Sequence, residues 1–219
     1  MTHNLSLLVY LLGSQGHSIN SFLAASKVFR DDPRILRAIK DKTRYPVSRT
    51  RLMHASLTGN VERVKLLLSA GEDVHATQKE SMMTPLMFAC ASGHLEIATL
   101  LVAAGANVNA HTVFGRTPVS FLCISEDYRS ILCRQPITNY GQQIQIVPLL
   151  INAGADIEIP MWNAHINAWT PLVWASSSGA TDMVAVLLHH GAKDTHGEAH
   201  REAKSKGYTS ILELLCSFL

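Results

Sequence analysis

The sequence predicts a mostly α-helical solenoid, built from helix-turn-helix units that stack in a row and are joined by hairpin loops. Three observations predict this fold class. A Thr-Pro-Leu-like string returns along the chain at a nearly constant spacing, and in three of its four copies a Gly follows 21 residues after the Thr. Between them, apolar residues recur at the spacing of one helix face. A fixed period of this length is typical of a repeat array rather than of a single globular core.

The repeat is defined by the strings that open and close each unit. The opening strings share a Thr, and these residues are Thr50, Thr84, Thr117 and Thr170. The first two steps between them are 34 and 33 residues. The closing strings share a Gly, and these residues are Gly71, Gly105, Gly154 and Gly191. Agreement at several fixed offsets predicts that the four segments share one fold.

Each unit is expected to hold two short helices. A Thr caps the first helix, and in three units Pro occupies its first position, where a missing N–H costs no hydrogen bond. Gly59 and Gly93 are predicted to end this helix, because a left-handed residue is needed there. A second helix with an apolar stripe follows, as in Leu95, Ile97 and Leu101.

Four residues of the first helices are predicted to pack in the core. Phe121 and Trp174 occupy equivalent positions of their units, where an apolar side chain faces the neighbouring helices. Cys90 and Cys123 both lie six residues after their Thr in adjacent units, which favours small core residues over a disulfide.

At this point the strings can be compared with a known family. Three strings resemble the ankyrin repeat, namely Thr84-Pro85-Leu86-Met87-Phe88-Ala89, Gly93-His94-Leu95-Glu96-Ile97 and Gly105-Ala106-Asn107-Val108-Asn109-Ala110. The resemblance covers residues 48–219 in about five units. It implies a non-enzymatic protein-protein interaction module whose partner lies in a concave groove. Where the family usually has His after Thr-Pro-Leu, this chain has Met53, Met87, Ser120 and Val173.

Two places depart from the regular spacing, and one unit ends the array. The third unit is longer by 16 residues, which predicts an insertion near residues 125–142, between its two helices. The next hairpin carries four extra residues. A terminal cap at about 195–219 follows if Gly207-Tyr208 is aligned with Gly93-His94, and the cap's polar first helix suits the uncovered end of an array.

The resemblance implies that the partner-binding residues lie at the hairpin tips and on the exposed face of the first helices. By offset within the repeat they are Glu80, Ser81, Met83, Phe114, Arg116, Trp162, Asn167, Trp169, Ser177 and Ser178. Phe114, Arg116 and Trp169 are the preferred anchors, because aromatic residues and Arg are enriched in interfaces. The alternative for Trp162 and Trp169 is that either ring folds back onto the solenoid.

No catalytic, cofactor or metal site is predicted. The sequence holds no nucleophile–base set, phosphate-binding loop or paired carboxylates. Four His fall in one stretch, but their spacing fixes no ligand pair on a helix, so a solvated surface is expected; they are His189, His190, His196 and His200. Four widely spaced Cys without a CxxC pair favour free thiols in an intracellular protein, cytoplasmic or nuclear. The first apolar run, residues 7–12, is too short to span a membrane.

Residues 1–47 lack the repeat pattern and are predicted to form a helical N-terminal region. A Leu-rich segment, a polar loop, and a segment that ends in Ser26-Lys27-x-Phe29-Arg30 are similar to an F-box. That resemblance implies an F-box-type substrate adaptor of a cullin ubiquitin ligase, which would act in the host cell if the chain comes from a virus or an intracellular bacterium. The residues that would bind the Skp adaptor are Leu7, Leu8, Leu11, Ile19 and Phe22. The alternative is an irregular helical cap that covers the first repeat.

The basic stretch from Lys27 to Arg51 suggests a third class of partner. It holds nine Lys or Arg against three Asp, whereas the net charge of the whole chain is only +2. An acidic protein or nucleic acid could bind such a stretch. Because acids interrupt it and aromatic residues are few, a solvated basic face is favoured and nucleic acid is not expected.

Overall fold

The computed structural model describes residues 49–79, 81–123, 140–162 and 168–218. Within these ranges ten helices and two short strands follow one another. The helices are α1 (Arg51–Thr58), α2 (Val61–Ser69), α3 (Pro85–Ser92), α4 (Leu95–Ala103), α5 (Pro118–Cys123), α6 (Tyr140–Asn152), α7 (Pro171–Ser177), α8 (Thr181–His189), α9 (Glu198–Ser205) and α10 (Thr209–Ser217). The strands are β1 (Met161–Trp162) and β2 (Ala168–Trp169).

The helices stack in two parallel rows, which confirms the predicted solenoid. Each first helix packs against the first helix of the next unit, in the order α1, α3, α5, α7, α9. Each second helix does the same in the order α2, α4, α6, α8, α10. Within a unit the two helices also pack together. Because the main contacts of each described helix are with its partner helix and with helices of adjacent units, the core is a continuous strip along the array.

The first helices of the four units that open with Thr begin where the sequence predicted, because the Thr side chain caps α1, α3, α5 and α7. Thr84 Oγ1 accepts a hydrogen bond from Met87 N at 3.3 Å, and Thr170 Oγ1 accepts one from Val173 N at 3.5 Å. Thr50 caps α1 in the same way. In α1 and α3 the Met that replaces the family's usual His also takes part, since Met87 Sδ lies 3.4 Å from Thr84 N and accepts its hydrogen. This reciprocal arrangement satisfies two backbone donors at the helix start.

The first two first helices, α1 and α3, end at a Gly, as predicted. Gly59 ends α1 and Gly93 ends α3, each with a φ of 74°. This left-handed conformation is strained for residues with a Cβ. The chain then turns directly into the second helix of the unit.

The core is formed by the facing sides of the two rows. Phe88 and Phe121 are among the largest fully buried side chains, and Cys90 and Cys123 are buried as predicted. Trp174 is only partly buried, although it occupies the position equivalent to Phe88 and Phe121, so the core interpretation holds for it in part.

Two regions carry the departures from regular spacing. Residues 124–139, which include most of the predicted insertion at 125–142, lie outside the described residues. The helix that follows, α6, has 13 residues with Pro148 inside it, and buries Ile146, Val147 and Leu150. Residues 1–48, with the predicted N-terminal region, also lie outside the described part of the chain.

The last two described helices form a unit with a polar outer side. Helix α9 buries only Ala199 and Ala203, while Arg201 and Lys204 are exposed. Helix α10 turns Ile211 and Leu215 into the core. Asp194 holds the start of α9, because its carboxylate accepts hydrogen bonds from Ala199 N and His200 N, both at 3.0 Å.

Candidate protein-binding surface

Three large apolar side chains lie exposed on two neighbouring hairpin tips. Met82 is 45% exposed, Val113 is 55% exposed and Phe114 is 56% exposed. Their hairpins are joined directly, since Val113 N donates a hydrogen bond to Ser81 O at 3.2 Å. These three residues are called the tip patch below. Among the described residues one other large apolar side chain is comparably exposed, Phe218 near the opposite end of the array.

The first of the two hairpins holds Met82 in an unusual backbone conformation. Gln78 N donates to Met83 O at 2.9 Å, and Met82 N donates to Gln78 O at 2.8 Å. The Ser81 hydroxyl donates to Gln78 Oε1 at 2.9 Å and so ties the turn together. Met82 has a φ of 59°, and no other described residue apart from Gly has a positive φ. Such strain in a residue with a side chain persists only where the surrounding bonds fix it, and it is common at functional sites.

The second hairpin holds Phe114 through a single hydroxyl. Thr112 Oγ1 accepts hydrogen bonds from Phe114 N at 3.3 Å and from Arg116 N at 3.1 Å. Thr112 N donates to Arg116 O at 3.0 Å, which closes the turn. The Arg116 guanidinium lies 5.5 Å from the centre of the Phe114 ring. The exposed Phe114 ring therefore makes a cation–π contact with Arg116.

Several predicted contact residues are placed differently from the sequence-based expectation. Met83 and Arg116 are only 3% and 6% exposed, so their side chains support the hairpins and do not form the surface itself. Met83 directly follows Met82, whose backbone is left-handed, and is buried. Glu80 and Asn167 lie outside the described residues.

The hairpin before α7 forms a short ribbon. Strands β1 and β2 pair antiparallel, with Met161 opposite Trp169, and Met161 is fully buried. Trp169 is partly buried and packs edge-on against Trp174, with ring centres 5.0 Å apart. This packing favours the alternative in which the Trp169 ring folds back onto the solenoid over the one in which it is a fully exposed anchor. The backbone of Trp162 lies in β1, and its side chain is outside the description.

Of the two predicted groove residues at the end of α7, Ser177 is covered by the terminal unit. Ser177 is 7% exposed, and its hydroxyl donates to Glu202 Oε2 at 3.3 Å. The Lys206 ammonium donates to Ser177 O at 2.7 Å and to its Oγ at 2.9 Å. Ser178 is partly exposed. At this end of the array, a partner would meet the charged side chains of the cap before it met Ser177.

Polar and charged side chains link residues within a unit and between neighbouring units. Lys65 of α2 bridges to Glu96 of α4 at 3.0 Å, and this hydrogen bond raises the pKa of Lys65. Arg51 forms an ion pair with Glu72 at the end of the same unit. Asn109 joins two hairpins, because its Nδ2 donates to Gly154 O at 2.9 Å and its Oδ1 accepts from Asp156 N at 2.8 Å.

A buried thiol and a cluster of histidines were the groups to check for a reactive or metal-binding role. Burial raises the pKa of the Cys90 thiol, which keeps it protonated and a poor nucleophile. In the ranges that the structure covers, no three His, Cys, Asp or Glu residues come together as metal ligands. His189 and His190 instead pack edge to face, with ring centres 5.5 Å apart.

Sequence reasoning missed Met82 as a surface residue. The residue selected as a contact was its neighbour Met83, which is 3% exposed, whereas Met82 is 45% exposed. The repeat offset itself carried the signal, because Met82 lies two residues before Thr84 as Gly115 lies two residues before Thr117, and the two residues have positive φ values of 59° and 72°.

Comparison with known protein families decides the identity of the fold. A family model for ankyrin repeats in three copies matches residues 4–112 and 52–158, and a model for a single ankyrin repeat matches residues 167–196. The chain belongs to the ankyrin-repeat family. Ankyrin repeats in general serve as protein-interaction modules. No curated protein matches the chain.

The matches also bear on the N-terminal region of this ankyrin protein. The first match begins at residue 4 and so includes most of residues 1–47 within ankyrin repeats. The matches give no support to the F-box resemblance, and its residues lie outside the described part of the chain. In the part that the structure describes, no helix has the length and apolar character needed to cross a lipid bilayer.

Proposed function

We propose that this ankyrin protein is a non-enzymatic binding module whose protein partner docks on the hairpin tips and the adjoining groove, with the tip patch as its apolar anchor. One observation carries the proposal. Three of the four large apolar side chains that are exposed among the described residues lie together on two joined hairpins. Contiguous exposed apolar surface is unfavourable in water, and it commonly marks an interaction site.

The construction of the two hairpins supports this function. A hairpin whose backbone is already fixed loses little conformational freedom when a partner binds to it. The Phe114 backbone is held because its N donates to Thr112 Oγ1, and the Met82 backbone is held because its N donates to Gln78 O. Burying one such side chain fully is worth about 1.5 to 3 kcal/mol, so the patch can supply a central share of a micromolar affinity.

Polar groups around the patch suit the rim of an interface. Ser81 is partly exposed beside Met82, and Lys79 and His111 are exposed on the same two hairpins. An apolar centre with a polar, hydrated edge is the usual composition of a protein interface. Trp169 and Ser178, both partly exposed, extend the proposed surface toward the fourth unit.

Site-specific crosslinking tests the proposal directly. A photoreactive phenylalanine placed at position 114 should trap a partner in cells that express the protein. The same residue at position 218 is the matched control, because Phe218 is 53% exposed but lies far from the hairpins in the chain. Trapping from 218 and not from 114 would overturn the proposal.

Substitution provides the second test. Phe114→Ala should weaken capture of the trapped partner by about tenfold or more, as expected for an interface anchor. Phe218→Ala, which removes a ring of similar exposure, should leave capture unchanged. Thermal unfolding of both variants verifies that the array remains folded. Equal capture by the wild-type chain and Phe114→Ala would exclude the tip patch as anchor.

The two finer alternatives have less support. An F-box-type adaptor would depend on residues 7–22, and a pull-down with recombinant Skp adaptor that retains nothing would exclude it.

Binding of nucleic acid would depend on the basic stretch 27–51, of which the structure describes the last three residues. Arg49 of that stretch lies 4.9 Å from the centre of the Phe88 ring, and Arg51 pairs with Glu72. Both cations therefore already have partners within the protein.

A further inference from the structure

The methionines of the chain differ sharply in exposure. Met82 is 45% exposed, whereas the other five described methionines are between 0% and 4% exposed. The buried residues are Met53, Met83, Met87, Met161 and Met183. A dissolved oxidant must reach the sulfur lone pair, so susceptibility to oxidation follows exposure. Among the described residues Met82 is therefore the methionine open to attack.

The contrast with Met83 isolates the effect of the fold. The two residues are neighbours in the chain and share one chemistry, yet their exposures are 45% and 3%. The backbone of Met82 has a φ of 59° in a hairpin closed by its hydrogen bond to Gln78 O, and its side chain is the exposed one of the pair. The sulfurs of Met53 and Met87 are protected in addition, because each accepts a backbone hydrogen bond at 3.4 Å.

We propose that Met82 is a site of reversible oxidation by hydrogen peroxide, and that its sulfoxide turns the tip patch polar. In this step the sulfur lone pair attacks one peroxide oxygen, an S–O bond forms and the O–O bond breaks. The sulfur loses two electrons, and the second oxygen leaves as water after taking up the proton of the transferred one. A methionine sulfoxide reductase reverses the change with a dithiol as the reductant, which is oxidised to a disulfide while the sulfoxide oxygen leaves as water. The consequence for partner binding rests on the proposed function.

The position of Met82 makes the modification consequential. Met82, Val113 and Phe114 form one apolar surface across two joined hairpins. A sulfoxide is strongly polar, and covering it with an apolar partner would remove its water without replacing the lost hydrogen bonds. The modified patch therefore loses its attraction for an apolar partner side chain.

Mass spectrometry of the full folded chain tests the site. Met82 and Met83 fall between the same two tryptic cleavage points, Lys79 and Arg116, so fragment ions compare them within one peptide. With hydrogen peroxide, the sulfoxide at Met82 should form at least about tenfold faster than at Met83, as exposure dictates. In denaturant the two rates should become equal. Equal rates in the folded chain would overturn the proposal.

The effect on the patch is tested with the apolar fluorescent probe 8-anilinonaphthalene-1-sulfonate. Peroxide should lower the probe's emission with the wild-type chain, and sulfoxide reductase should restore it. Met82→Leu should keep its emission under peroxide, and Met82→Gln should show the low emission without peroxide. Unchanged wild-type emission after complete oxidation of Met82 would refute the proposed change of polarity. Failure of the crosslink at position 114 would leave the oxidation result standing, so the two proposals fail separately.

Discussion

The imidazole of His94 covers Gly59, across the boundary between the first two described units. A Cβ on Gly59 would lie 2.6 Å from His94 Cε1 and 2.9 Å from its Nε2. The ring is held there because its Nε2 lies within hydrogen-bond distance, 3.2 Å, of Leu57 O. Gly59 therefore ends helix α1, and because it has no Cβ it also leaves space for the His94 ring of the next unit.

This relationship predicts that Gly59→Ala destabilises the array more than Gly71→Ala does. Both glycines have a left-handed backbone, with φ of 74° and 77°, but nothing lies within 4 Å of a Cβ at Gly71. Gly71→Ala should cost about 1 to 2 kcal/mol through backbone strain. Gly59→Ala should cost about 1 to 3 kcal/mol more, because His94 must move. Urea unfolding of both variants measures the difference, and equal losses would show that the ring contact contributes nothing.

The same relationship recurs at the other end of the array. A Cβ on Gly179 would lie 2.9 Å from Cζ of Tyr208, so Tyr208 covers Gly179 as His94 covers Gly59. The repeat alignment places Tyr208 at the position of its unit that is equivalent to His94. Repeat spacing therefore predicted the units and the Thr and Gly residues that begin and end their first helices, because these residues lie at fixed offsets, but it did not predict the contact of the ring with the Gly.

A pH dependence follows from the burial of His94. Burial lowers the pKa of its imidazole below the usual value of 6.5, against a smaller opposite effect of the hydrogen bond to Leu57. The unfolded chain therefore binds the proton more readily, and this contribution to stability is complete above pH 6.5 and is lost as the pH falls through the folded-state pKa. His54 adds to the same trend, since burial and the nearby Arg63 and Arg49 lower its pKa.

The variant His94→Tyr distinguishes the contribution of His94 to this pH dependence from that of His54. Tyr208 shows that a phenol ring fits over the equivalent Gly, so the variant keeps a covering ring and loses the titrating group. We expect the free energy of unfolding to fall less between about pH 7.5 and about pH 5.5 in His94→Tyr than in the wild-type chain. Urea unfolding across that range measures it. Identical pH profiles would mean that His94 does not contribute to the loss.

The proposed binding surface was less predictable than the fold, for local physical reasons. Offsets chose Arg116 as a contact, but its guanidinium lies under the Phe114 ring and is buried. Offsets also chose Ser177, which Lys206 and Glu202 of the terminal unit cover. In both cases a long charged side chain decides what is exposed, and its direction depends on neighbours from other parts of the chain.

Asn109 is predicted to couple the second and third described units. Its two hydrogen bonds, to Gly154 O and from Asp156 N, cross between hairpins. Asn109→Ala should therefore cost about 1 to 2 kcal/mol, since each such bond contributes about 0.5 to 1.5 kcal/mol. The control is His75→Ala, at the equivalent position of the first described unit, where the exposed imidazole makes no hydrogen bond to the described residues. Equal unfolding free energies for the two variants would contradict the coupling.

Lys206 is predicted to fasten the terminal unit through the end of α7. Its ammonium donates to Ser177 O and Oγ, at the helix end where the carbonyl groups carry partial negative charge. Lys206→Met keeps most of the aliphatic side chain and removes the donor, and it should lower the free energy of unfolding by about 0.5 to 1.5 kcal/mol. Lys204→Met, on the exposed side of α9, is the matched control and should change stability by less than about 0.5 kcal/mol. Hydrogen exchange should rise in α9 and α10 of Lys206→Met before it rises in α3 and α4, because each unit is held chiefly by its neighbours. A uniform rise along the whole array would show that Lys206 does not act on the terminal unit.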